Sequence, residues 1–125
     1  TSGYADFSGR GYVYRYEEGR VGEDGLPFGT AFSKPDIVAP GVNITVPVPG
    51  GSTQQVSGTS FATPIVSGSA ALLMEYGIVR GNDPYLYGQK LKAYLINGAK
   101  KLPGYERFPN DMTGWGALCV ADSLP

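Results

Sequence analysis

Residues 58–72 read GTSFATPIVSGSAAL: a glycine and two hydroxyl residues, then a run of small and apolar side chains. From 65 to 76 the chain is apolar or small in every direction, which is typical of a helix buried on all sides. Thr63 directly before Pro64 predicts an N-cap with proline at the first helical position. We therefore predict a buried helix over residues 65–76, preceded by a short polar segment.

That polar segment contains the candidate catalytic residue. Ser60 lies just before the predicted helix, where free backbone N–H groups and the helix dipole favour a developing oxyanion. Gly58 allows a sharp turn and the close approach of a substrate chain. Serine and threonine are also common helix caps, so local chemistry alone favours a capping role for this segment. A longer sequence pattern is needed to decide between a capping role and a catalytic role.

The longer pattern resembles the nucleophile motif of the subtilisin-like serine proteases, the subtilases of peptidase family S8. Ten or more positions between Gly58 and Leu72 agree in register with that motif. Three further stretches resemble family segments in the right order: FSGRG at 7–11, KPDIVAPG at 34–41 and GWGAL at 114–118. The sequences around NDPY at 82–85 and CVADSL at 119–124 are most similar to those of clostridial subtilases, including the spore-germination type.

The resemblance covers nearly the whole chain but only the later part of the family's catalytic domain. It implies an α/β fold, with residues 1–125 forming the C-terminal portion of a three-layer α/β/α domain that has a mainly parallel sheet. It also implies that Gly68 and Ala70 let the helix pack closely against that sheet.

The resemblance further implies a serine-type endopeptidase in which Ser60 is the nucleophile and Gly58 and Thr59 bind substrate beside the scissile bond. The family's aspartate, histidine and oxyanion-hole asparagine would precede Thr1, so the isolated chain is expected to be inactive. No cofactor and no metal are implied. The expected partners are a peptide or protein substrate and either a second copy or the rest of the parent catalytic domain.

Composition narrows the function further. The chain has 125 residues, a formal net charge of −1 and no histidine, so a histidine base cannot come from these residues. No basic run is present, which argues against nucleic-acid binding. The single Cys119 offers neither an internal disulfide nor a zinc cluster.

The apolar run is shorter than the roughly 18–20 residues a bilayer needs, and the first residues lack a signal-peptide pattern. Localisation is left undecided.

The remaining elements follow from turn and strand signals. We expect a short strand at Tyr4–Phe7, a hairpin over 12–33 that is a surface insertion, and a β-type stretch over 34–48 interrupted by prolines. A returning strand at 53–57, a second helix from Asp83-Pro84 to Asn97-Gly98, and an extended segment at 114–120 complete the prediction.

Two other functions compete with an active protease. An α/β-hydrolase is disfavoured because Ala62 replaces the last glycine of the G-x-S-x-G elbow, the preceding strand is polar, and no histidine follows the serine. A pseudoprotease of the same fold, acting as a binding or signalling module, stays open, because the residues that would decide it precede Thr1.

Overall fold

A computed structural model describes residues 3–125, which form two β-hairpins followed by three helices. The elements in chain order are β1 (Gly11–Val21), β2 (Pro27–Lys34), β3 (Ile44–Val48), β4 (Ser52–Val56), α1 (Thr59–Met74), α2 (Gly88–Asn97) and α3 (Val120–Ser123). A π-helical segment, Glu75–Val79, continues α1 without a break. Both strands and helices are present, as expected for an α/β protein.

The first hairpin confirms the predicted hairpin over residues 12–33. Strands β1 and β2 pair antiparallel from Gly11 opposite Lys34 to Tyr16 opposite Gly29. Tyr14 and Tyr16 share one face of β1, and their rings stack with centroids 6.4 Å apart. The side chains of this face are exposed, so the hairpin stands on the surface.

The second hairpin confirms the end of the predicted β-type stretch and its returning strand, whereas residues 35–43 of that stretch form no strand apart from a single bridge at Val38. Strands β3 and β4 pair antiparallel from Ile44 opposite Val56 to Val48 opposite Ser52. Pro47 lies within β3, where a two-stranded sheet leaves one edge unpaired and a missing N–H is tolerated. Strand β4 runs directly into the segment that contains Ser60.

Helix α1 begins earlier than predicted. Its first residue is Thr59 and Pro64 lies inside it, so the prediction of Thr63 as N-cap was wrong. Instead, the Thr63 hydroxyl donates to the Thr59 carbonyl at 3.0 Å. Pro64 is tolerated because it lies near the start of the helix, where it removes only the bond to the Ser60 carbonyl.

Helix α1 is not buried on all sides, contrary to the prediction. Ser69 and Leu73 are its buried residues, whereas Leu72 is 62% exposed. Gly68, predicted to pack against a sheet, has no neighbour within 4 Å of an added Cβ among the residues described. The face that would contact such a sheet is therefore uncovered in residues 3–125.

The prediction that the apolar run is too short to span a membrane was also wrong. Residues Thr59–Val79 form 21 consecutive helical residues, and an 18-residue window within them has a mean hydropathy of 1.3, which is enough to cross a bilayer by length and composition. However, Leu73 is fully buried in a cluster with Leu86, Leu91 and Leu95. In total, 17% of the window is buried within residues 3–125.

Helix α2 begins later than predicted, at Gly88, and ends as predicted at Asn97-Gly98. Asp83 does not cap it but forms a local turn, in which the Asp83 carboxylate accepts from the Tyr85 N–H at 3.1 Å. Gly98 has an ordinary φ of −84°. It is needed for space, because a Cβ there would overlap Ser123 in α3.

The extended segment around Ala117 pairs with two other parts of the chain. Ala117 forms a parallel bridge with Val38 and an antiparallel bridge with Lys100, which confirms an extended segment near 114–120, followed by α3. This is the one parallel bridge among residues 3–125, and the two hairpin sheets are antiparallel, so a mainly parallel sheet is not seen there. The predicted strand at Tyr4–Phe7 is absent: these residues enter a turn in which Ser8 N–H donates to Ala5.

Candidate functional site

Ser60 is the second residue of α1 and is exposed. This confirms the prediction that it lies within one turn of the start of a long helix. Its hydroxyl makes no hydrogen bond with another residue of the described chain, so it is free to meet a ligand. The first N–H groups of the helix have no intrahelical acceptor and lie beside it.

Gly58 and Thr59, the two predicted substrate-binding residues, connect β4 to Ser60. Gly58 precedes α1 with φ 154° and ψ 154°, a positive φ that glycine adopts more readily than other residues. Its carbonyl accepts from the Phe61 N–H at 3.1 Å, which closes the turn. The structure therefore places Gly58, Thr59 and Ser60 together at the helix start.

A loop before β3 holds this turn. We call residues 40–43 the support loop and residues 57–60 the serine turn. The Gly58 N–H donates to the Gly41 carbonyl at 2.7 Å. The Asn43 N–H donates to the Ser57 hydroxyl at 2.9 Å. Asn43 itself has φ 54°, a left-handed conformation that asparagine tolerates.

An apolar cavity of about 450 Å³ opens beside the helix start. Thr59 and Ala62 line one side of it, and Tyr4, Val38 and Leu102 line others. Ser60 is not part of its lining, so the cavity lies next to the serine rather than over it.

Among residues 3–125, no hydrogen bond joins the Ser60 hydroxyl to an acidic or basic side chain. The chain has no histidine. Lys90 lowers the pKa of Asp83 chiefly through a hydrogen bond, and Lys100 lowers the pKa of Asp122 in the same way. These carboxylates therefore belong to ion pairs with lysine. Within residues 3–125, no group of three or more His, Cys, Asp or Glu side chains is arranged to hold a metal ion.

Sequence reasoning missed Gly41, Asn43 and Ser57. Glycine and asparagine in a short polar stretch do signal a turn, and this was the available clue. The contact itself joins residues 14 positions apart in the chain, so neither spacing nor residue type predicts it.

Comparison with known proteins identifies what this site is similar to. The model of the "Subtilase family" matches residues 3–116. The structure of the CspB protease of Clostridium perfringens superposes with a TM-score of 0.71 and 49% identity, covering 74% of this chain and 20% of that one. This agrees with the predicted similarity to clostridial subtilases.

Curated relatives give the same picture over shorter stretches. The intracellular serine protease of Paenibacillus polymyxa is 35% identical over 82 residues, which are 62% of this chain and 25% of the relative. Subtilisin Savinase of Lederbergia lenta is 40% identical over 67 residues, 54% of this chain and 23% of the relative. The chain thus spans about a quarter of the length of these two relatives.

Proposed function

The chain belongs to the subtilase family, and we propose that it is the nucleophile-bearing part of a serine-type endopeptidase. The observation that carries the proposal is Ser60 itself, exposed in the first turn of α1 inside the segment that matches the family. Because the chain spans a fraction of its relatives, we propose that it acts as part of a longer catalytic domain.

The proposed reaction is acyl transfer from a peptide or protein substrate to water. Ser60 Oγ attacks the peptide carbonyl carbon, a histidine elsewhere in the domain accepts the hydroxyl proton, and the amine product leaves as the acyl-enzyme forms. Water then releases the acid product and restores Ser60. The backbone N–H of Ser60 supplies one donor for the oxyanion, at the positive end of α1.

Gly58 and Thr59 lie next to Ser60, where a substrate chain would bind. Gly58 has no side chain, which leaves space for a substrate strand next to the scissile bond. Thr59 is exposed one residue before the nucleophile. We assign both to substrate binding.

The test is hydrolysis of an unfolded protein substrate by the full-length protein that contains these residues. We expect Ser60→Ala to lower kcat by about 10⁴-fold or more, because the nucleophile is lost. Ser67→Ala is the matched control: Ser67 is exposed on the same helix and its hydroxyl has no partner within residues 3–125. A full-length protein without hydrolytic activity would contradict the proposal and favour the pseudoprotease.

A further inference from the structure

We propose that Gly41 and Ser57 are positioning residues for Ser60, and that the support loop sets the orientation of the serine turn. The inference rests on the proposed function, because positioning matters only if Ser60 reacts. Neither residue touches the reacting atoms. The Gly41 carbonyl accepts from the N–H of Gly58, two residues before Ser60, and the Ser57 hydroxyl accepts from the Asn43 N–H.

Gly41 is a glycine for reasons of space. Its φ is not in the left-handed region, so its backbone could be adopted by any residue. A Cβ at this position, however, would lie 2.9 Å from the Gly58 carbonyl oxygen and 3.3 Å from the Ala62 Cβ. The support loop therefore packs directly against the serine turn and against Ala62 of α1.

Two hydrogen bonds complete this contact. The Gly41 carbonyl accepts from the Gly58 N–H at 2.7 Å, and the Ser57 hydroxyl accepts from the Asn43 N–H at 2.9 Å. The turn is thus held on both sides of the Ser57–Gly58 peptide. The Gly58 carbonyl meanwhile accepts from Phe61, so the held segment is continuous with the first turn of α1.

This geometry has a consequence for reactivity. Nucleophilic attack depends on the placement of Oγ and of the oxyanion N–H to within a fraction of an ångström. Ser60 has no side-chain hydrogen bond of its own among the residues described, so its backbone must determine its position. Loosening or displacing Gly58 should therefore slow bond formation more than it weakens ligand binding.

The experiment uses the full-length protein and a fluorophosphonate probe, which needs no knowledge of the natural substrate. Ser60 Oγ forms a bond to phosphorus, fluoride leaves, and the hydroxyl proton passes to the histidine base. The rate of this step at saturating probe and the probe's binding constant are measured separately, together with the melting temperature.

We expect Ser57→Ala to lower the saturating rate by about three- to tenfold, the range that loss of one hydrogen bond gives, with little change in probe binding. Ser57→Thr keeps the hydroxyl and should restore the rate. Gly41→Ala should lower it at least as much, because the added methyl displaces the turn. Ser52→Ala, at an exposed serine of β4, is the control and should react like wild type.

Three outcomes would overturn the proposal: Ser57→Ala reacting within twofold of wild type, Ser57→Thr failing to recover, or rate losses matched by equal losses in Ser52→Ala. A wild-type protein that does not react would contradict the proposed function. Wild-type labelling with unchanged variants would overturn the positioning role alone.

Discussion

At the scale of single residues, Asp36 links two parts of the chain through its charge. Its carboxylate pairs with Lys34 at 2.7 Å and with Lys92 of α2 at 3.1 Å. Partial burial raises the pKa of Asp36, but hydrogen bonds and charges from the two lysines outweigh burial, and the net pKa is lowered. The charged carboxylate therefore stabilises the folded state.

The sign of the pH dependence follows. Because the folded pKa lies below the unfolded value of about 3.9, the stabilisation is complete above that value and is lost as the pH falls through the folded pKa. We expect Asp36→Asn to melt at a lower temperature than wild type at pH 7, with the difference shrinking below about pH 4. Asp6→Asn, at an exposed carboxylate without an ion pair in residues 3–125, is the control substitution. A difference that stays constant from pH 7 to pH 3 would contradict this.

The residue scale also shows what sequence can predict about the site. Ser60, Gly58 and Thr59 are adjacent in the chain, so one motif places all three at the start of a helix. The support of the turn by Gly41 and Ser57 depends on how β3 and β4 fold back, and no local pattern contains it.

At the scale of elements, a substitution at Gly68 in α1 can test whether a further layer covers the exposed face of this helix. Gly68 has no neighbour within 4 Å of an added Cβ, and it lies inside the helix. In the isolated chain, Gly68→Ala should stabilise the helix by about 0.5–1 kcal/mol, because alanine is the better helix former.

The same substitution should act in the opposite direction in the full-length protein. If a sheet packs closely on this face, the added methyl should cost about 1–3 kcal/mol in the free energy of unfolding. Urea unfolding of both proteins, with and without the substitution, measures the two effects. Stabilisation of equal size in both would show that no layer contacts Gly68.

The two hairpins were predicted well and the helix boundaries less well. Strand alternation and glycine-rich turns identify β1 to β4, since hairpin pairing is local. The starts of α1 and α2 were misplaced because proline after threonine or aspartate also occurs inside a helix or in a turn. The all-round apolar pattern of α1 predicted too much burial, since Leu72 is 62% exposed within residues 3–125.

At the scale of the whole molecule, the uncovered face of α1 predicts association. Leu72 and Val79 are 62% and 77% exposed, and the first hairpin does not cover Leu72. Leaving large apolar side chains in water forfeits about 1.5–3 kcal/mol each, a sizeable part of the stability of a small domain. Exposed patches of this kind usually acquire a partner.

We therefore expect the isolated chain to self-associate at micromolar concentration, with an average mass that rises across a concentration series in sedimentation. Leu72→Gln should shift the series toward monomer. Val13→Gln, at an exposed residue of the first hairpin, is the control and should leave it unchanged. A wild-type chain that stays a folded monomer throughout would contradict this expectation.

The central claim is that Ser60 is a nucleophile whose activation requires the rest of the catalytic domain. The most direct measurement is the stoichiometry and site of fluorophosphonate labelling, determined by mass spectrometry of the full-length protein and of the isolated 125-residue chain. We predict one label per full-length molecule, on Ser60, and no labelling of the isolated chain, which has no histidine. Labelling at another serine, an unlabelled full-length protein, or stoichiometric labelling of the isolated chain would contradict the claim.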